Sequence, residues 1–147
     1  MNFKDLGLQE DILKAVKKLG FENPSEIQEK GIPVLSEGAK DFVGLAQTGT
    51  GKTAAFGLPL IQHTDFSVKQ TQGLVMCPTR ELCMQITKDL VAFAKYQTDP
   101  NIVPVYGGAS IDDQIRRIKK GAHIVVATPG RLLDLINRKA INLKTVR

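Results

Sequence analysis

The chain has 147 residues, 42% hydrophobic and 24% charged, which suits a single soluble domain with its own core. Twenty Lys and Arg against fifteen Asp and Glu leave a formal charge of +5, compatible with a polyanionic partner without requiring one. Few aromatics and no Trp argue against a surface of stacked rings, and Cys77 and Cys83, with His63 and His123 far off in sequence, do not make a zinc spacing. They read as reduced core thiols. The N-terminal "MNFKDLGLQEDILK" lacks an apolar signal core, and no apolar run reaches membrane-spanning length. The expectation is a cytoplasmic protein with no membrane partner.

In chain order, Ile12, Leu13, Val16 and Leu19 form one helical stripe, and Gly20 is a plausible stop. Asn23 is placed to N-cap a second helix, with Pro24 at its first position and Glu26 at its third, as in a capping box. Strands are expected at Asp41–Leu45, Gly73–Cys77, Ile102–Tyr106 and His123–Ala127. Helical patterns alternate with them. That alternation predicts an α/β fold with a mostly parallel sheet flanked by helices.

The first expected strand runs into Gly49-Thr50-Gly51-Lys52-Thr53, the end of a Walker A phosphate loop, with Ala46 at the position of the pattern's first glycine. Glycines let the backbone turn tightly and aim successive N–H groups at one anion, and the following helix start adds unpaired donors. A Lys at position 52 can reach terminal phosphates, and the Thr53 hydroxyl can ligate Mg²⁺. Two later strands end alike, "LVMC" before Pro78-Thr79-Arg80-Glu81-Leu82 and "IVVA" before Thr128-Pro129-Gly130-Arg131. In each a Thr can cap the next helix and an Arg sits in its first turn. An Arg there opposes the helix dipole and is often merely solvated. Two at equivalent places, outside the carboxyl ends of strands, suit a second run of phosphates. Gly107-Gly108 follows a third strand, and Ser110 caps a helix carrying Ile111, Ile115 and Ile118. Taken alone, that glycine pair reads as a plain loop.

Together, "GFENPSEIQ" (Gly20–Gln28), "AQTGTGKT" (Ala46–Thr53), "PTREL" (Pro78–Leu82), "GG" (Gly107–Gly108) and "TPGR" (Thr128–Arg131) resemble, in order, consecutive motifs of the DEAD-box RNA helicases, bacterial members included. Phe3 stands where that family has an isolated upstream aromatic. The resemblance implies a RecA-like P-loop domain, with residues 1–29 carrying the glutamine motif. It implies ATP hydrolysis coupled to RNA binding and local duplex unwinding. Phe21 would stack on adenine and Gln28 would read its edge, since an amide offers donor and acceptor together. Ala46, Gln47, Thr48, Gly49, Thr50, Gly51, Lys52 and Thr53 would hold the ATP phosphates. Lys52 and Thr53 would be the catalytic contribution, with Mg²⁺ on Thr53. Pro78, Thr79, Arg80, Gly107, Gly108, Thr128, Pro129, Gly130 and Arg131 would line an RNA backbone path of little sequence specificity. Glu81 would organise its loop, since a carboxylate repels phosphate. Cys83 stands where the family often has Ala.

The Asp-Glu-Ala-Asp tetrad of that family does not occur here. None of Asp65, Asp89, Asp99, Asp112, Asp113 and Asp134 directly follows a strand-like run, so none is placed to orient a Mg²⁺-bound water. The chain is therefore expected to be the front portion of a first RecA-like domain, spanning 1–147 and truncated before the Walker B strand. A second RecA-like domain of the parent protein would be a partner. The lost strands should leave an open sheet edge and marginal stability. For the parent the reading is an ATP-dependent RNA helicase. The alternative, favoured for these 147 residues alone, is a non-hydrolysing module that binds adenine nucleotide and RNA.

Overall fold

Residues 1–38 and 40–147 are described by a computed structural model. They form two compact units, Met1–His63 with Asp89–Gln97, and Thr64–Lys88 with Thr98–Arg147.

The first unit is helical. A 3-10 turn at Phe3–Leu6 is capped by Asn2 and ends at Gly7. Helix α1 (Glu10–Lys18) buries Ile12, Ala15 and Val16, and the chain turns out of it at Gly20, φ +81°. Leu13 is half-buried, whereas Leu19, expected on the same stripe, caps the helix and is exposed. Helix α2 (Glu26–Glu37) packs on helix α3 (Lys52–His63). The helices approach closely at Gly31, where an added Cβ would lie 3.8 Å from that of Ala55. Leu58 and Ile61 of α3 are fully buried, each a gain of about 1.5–3 kcal/mol. Gln62 pins the other side of α3, accepting from the Gln9 N–H at 2.8 Å and donating to the Gly7 carbonyl at 3.0 Å.

Two expectations fail here. The cap of α2 is Ser25, not Asn23, and Glu26 is its first residue rather than its third. The residue at the third position is then Gln28, whose amide reaches back to the Ser25 N–H. A glutamine serves there as well as a glutamate, so the sequence offers two registers and the structure uses the later one. Residues 41–47 form no strand. Val43 and Leu45 stand 87% and 93% exposed. An extended apolar segment becomes a strand only where a neighbour accepts its hydrogen bonds, and none of the described residues does so.

The second unit holds the sheet. Strands β1 (Gly73–Met76), β2 (Ile102–Val105) and β3 (Ile124–Ala127) lie parallel in the order β1-β3-β2. Gly73 and Ile102 are both in register with Ile124. β1 and β2 end one residue short of their expected spans and β3 begins one residue after the start of its own, leaving Cys77, Tyr106 and His123 just outside. β3, paired on both sides, is buried at every residue, whereas β1 at the edge leaves Met76 half exposed. Helix α5 (Ile111–Lys119) and helix α6 (Pro129–Asn137) cover a core of Val103, Val105, Val125, Ala127 and Leu135, with Ile118 buried and Ile111 and Ile115 packed beside it. Helix α4 (Arg80–Phe93) starts in this unit and ends in the first. Beyond α6 the chain returns to the foot of β1, where the Arg147 N–H donates to the Gln72 carbonyl at 3.1 Å.

The cysteines are core thiols, as expected. Cys77 donates to the Ala127 carbonyl and Cys83 to that of Val126, and both are free and buried. Burial, with Cys77 beside it, pushes the Cys83 thiol up to about 12. His123 is buried against the edge of the Phe66 ring, and its Nδ1 accepts from the Asn101 N–H at 3.0 Å. Burial lowers its affinity for a proton.

Candidate functional site

The glycine loop of the first unit is built by local rules. Gly49 and Gly51 take φ +82° and +84°, conformations that other residues resist. The Thr50 hydroxyl donates to the Gln47 carbonyl at 2.6 Å and closes the loop. Helix α3 begins at Lys52, its first turn sealed by the Ala55 N–H on the Gly51 carbonyl at 3.1 Å. The N–H groups of Lys52, Thr53 and Ala54 then have no carbonyl partner within the helix. Space around Gly49 is open, and no carboxylate among the described residues pairs with Lys52. Free N–H donors at a helix start are of the kind that bind anions.

Gln28 comes to this loop from α2. It is 6% exposed, and its amide holds two parts of the unit together. Oε1 accepts from the Ser25 N–H at 3.0 Å, and Nε2 donates to the Gly51 carbonyl at 3.2 Å. The two bonds fix which end of the amide is oxygen. Glycine suits position 51 because its φ of +84° resists side chains, and an added Cβ would also press on the Gln28 amide. Phe21 keeps 39% exposure, its ring 6.3 Å from that of Phe3 and 6.5 Å from that of Phe93. The glutamine motif and the glycine loop, 23 residues apart between Gln28 and Gly51, are thus in direct contact. Two clefts of about 460 Å³ border residues 44–47. Neither is lined by Phe21 or Gln28, and both lie where the segment has no strand partner.

The second unit gathers the other sequence candidates at one sheet edge. Three parallel strands end level, and each feeds a helix start. β1 leads to Pro78 and Thr79, whose hydroxyl accepts from the Leu82 N–H at 3.2 Å and caps α4. β2 leads to Gly107-Gly108 and to Ser110, which caps α5 through the Asp113 N–H. β3 leads to Thr128, in the N-cap position of α6 without a side-chain cap bond, then Pro129 at the first helical position. Pro78, Thr79, Arg80, Gly107, Gly108, Pro129 and Gly130 are exposed, and Thr128 and Arg131 half-buried.

The arginines are held by neutral groups. Arg80 lies over the Tyr106 ring, 4.9 Å from its centre, a favourable cation–π placement. Arg131 Nη1 donates to the Ala109 carbonyl at 3.1 Å and to Gln114 Oε1 at 2.7 Å. No carboxylate among the described residues pairs with either, so both charges stay uncancelled at an edge that already presents three helix N-termini. Tyr106 and Gln114 were missed by sequence reading. Gln114 lies in the pattern of α5 as an ordinary polar residue, and only its burial reveals it.

A three-stranded parallel sheet whose strands each feed a helix start, and a glycine loop at the start of a further helix, make this an α/β protein. The family model of the DEAD/DEAH box helicases matches residues 25–147, and the chain belongs to that family. It is 53% identical over 147 residues to the ATP-dependent RNA helicase DeaD of Haemophilus influenzae, covering 100% of this chain and 24% of that protein. It is 49% identical over 144 residues to the DEAD-box ATP-dependent RNA helicase CshA of Bacillus cereus, covering 98% of this chain and 27% of that one. The crystal structure of a DEAD box protein from the hyperthermophile Methanococcus jannaschii superposes with a TM-score of 0.94 at 41% identity, over 100% of this chain and 40% of that one. The chain thus spans about a quarter of the length of these curated relatives. Among the described residues no helix is long and apolar enough to cross a membrane.

Proposed function

We propose that these residues are part of the first RecA-like domain of a cytoplasmic ATP-dependent RNA helicase, and that they carry its nucleotide pocket and half of its RNA path. The observation that supports this most is the Gln28 clasp on Gly51, which joins an adenine-reading motif to a phosphate loop. A generic phosphate loop has no need of that contact. In this reading ATP lays its phosphates along Gly49–Thr53. Lys52 neutralises the terminal phosphates, and the exposed face of Phe21 packs on adenine. Gln28 turns its amide from the Gly51 carbonyl to the base edge.

The loop fits a magnesium nucleotide by its open glycine cradle and by the Thr53 hydroxyl at the helix start. A bound Mg²⁺ would supply positive charge beside the phosphates. Thr53 would hold it, and Lys52 would stabilise charge on the transferred phosphoryl group. No residue of this chain is assigned to activate water. RNA would run along the edge of the second unit, its phosphates on Arg80, Arg131 and the helix starts at Thr79, Ser110 and Thr128. Such contacts read backbone shape rather than sequence. Unwinding belongs, in this reading, to the parent protein with a second RecA-like domain. These 147 residues bind without turnover in this reading, because among the described residues no aspartate follows a strand.

Titration of a fluorescent ADP analogue with Mg²⁺ into this chain, beside Gln28→Ala and Lys52→Ala, tests the reading. Saturable binding weakened by both substitutions, without phosphate release from ATP in the presence of RNA, is the expected result. Turnover that Lys52→Ala abolishes would mean that a carboxylate of this chain activates water, and the division of labour proposed here would fall.

A further inference from the structure

A glutamine in the first turns of a nine-residue surface helix ordinarily faces water. Gln114 is 6% exposed, and both ends of its amide are engaged. Nε2 donates to the Tyr106 carbonyl at 3.1 Å, and Oε1 accepts from Arg131 Nη1 at 2.7 Å. The same Nη1 donates to the Ala109 carbonyl at 3.1 Å. The carbonyls on either side of Gly107-Gly108 are therefore tied, through one amide and one guanidinium nitrogen, into a closed bracket. Gly108 within it takes φ +83°. The ring of Tyr106, at the foot of the bracket, carries Arg80.

The chemistry of the bracket has a consequence. Nη1 has two hydrogens, and these two bonds use both. Nη2 and Nε remain, with a full charge, because both acceptors are neutral. A carboxylate at position 114 would hold Arg131 as firmly but cancel that charge. An amide is the side chain that fixes the guanidinium and the turn together while leaving the cation for an external anion.

We infer that Gln114 is a positioning residue for the sugar–phosphate backbone. It acts through Arg131 and the Gly107-Gly108 turn, and the inference rests on the RNA-path reading of this edge. The test is a double-mutant cycle read by RNA affinity. The probe is a fluorescein-labelled oligouridylate of about ten nucleotides, followed by anisotropy across a series of KCl concentrations. Gln114→Met keeps the shape and removes both bonds. It should weaken binding about five- to tenfold and lower the salt slope by about 0.7, the share of one phosphate contact on a single strand. Arg131→Met should do the same, and the double variant should be no weaker than Arg131→Met alone.

Gln114→Glu retains the acceptor for Arg131 and carries the cycle if Gln114→Met does not fold. It should weaken RNA binding at least as much, because it cancels the charge. A merely structural Gln114 would lower the melting temperature with additive losses and an unchanged salt slope, and that outcome overturns the inference. Arg80→Ala separates the two levels of the argument. If it weakens binding while the Gln114 variants do not, only the positioning role falls. If the unsubstituted chain binds no RNA, or neither arginine matters, the RNA-path reading falls and the inference with it.

Discussion

The glycine loop of the first unit and the sheet edge of the second both end in helix starts, but only the second is fed by strands. The loop is made by its own residues. Two glycines with positive φ, one hydroxyl and a helix start shape it, although the segment before it pairs with nothing among the described residues. The sheet edge exists only because three strands from distant parts of the chain end level and parallel. A loop of one turn survives the lack of a sheet neighbour. Several helix starts come level only through strand register, and register is a property of the sheet.

The sharpest way to break the local site is Gly51→Ala. The new methyl meets Gln28 Nε2 in a conformation that resists side chains, so nucleotide affinity should fall about a hundredfold or more, measured by the ADP-analogue titration. RNA affinity should hold within about twofold, because no residue of the sheet edge is altered. Loss of both would contradict the separation of the sites.

Two identical substitutions in the first unit measure how much the unpaired segment contributes. Leu58→Ala, at a fully buried residue, should cost about 2–5 kcal/mol by chemical denaturation. Leu45→Ala, at 93% exposure, should change stability by about 0.5 kcal/mol or less. A large loss at Leu45 would mean that residues 41–47 are packed in solution.

At the sheet edge, Tyr106→Leu removes the ring under Arg80 and leaves the Tyr106 carbonyl in place for Gln114. A cation–π contact at an exposed site is worth about 0.5–1 kcal/mol, so RNA affinity should drop roughly two- to fivefold. No change would show that Arg80 needs no support.

The smallest effect is a pH dependence in the second unit. Burial lowers the folded proton affinity of His123 below that of the unfolded chain. The unfolded state then binds more protons, so stability should decline as pH falls below about 6.5 and recover above it. His123→Gln should flatten that slope in melting curves between about pH 7 and 5. A slope unchanged by the substitution would assign the effect to other groups.

Much of this was legible in the sequence because its causes are short-ranged. The glycine loop, the Ser110 cap and the three strands of the sheet follow from periodicity, glycine placement and helix-start chemistry within a few residues. The cap of α2 was misread for a related reason. Asn23 and Ser25 both suit the position, and the choice was made by Gln28, which is held at Gly51 as well.

The sequence by itself determined the α/β alternation, the glycine loop and the set of polar residues that follow each strand of the sheet. Local conformational preference and helix termini suffice for those. Tertiary structure alone decided that residues 41–47 stay unpaired, that Gln28 clasps the loop and that Gln114 brackets Arg131 to the glycine turn. The physical reason is common to all three. A hydrogen-bonding group is satisfied by whatever partner folding brings to it, and those partners lie 8 to 23 residues away or are not found among the described residues.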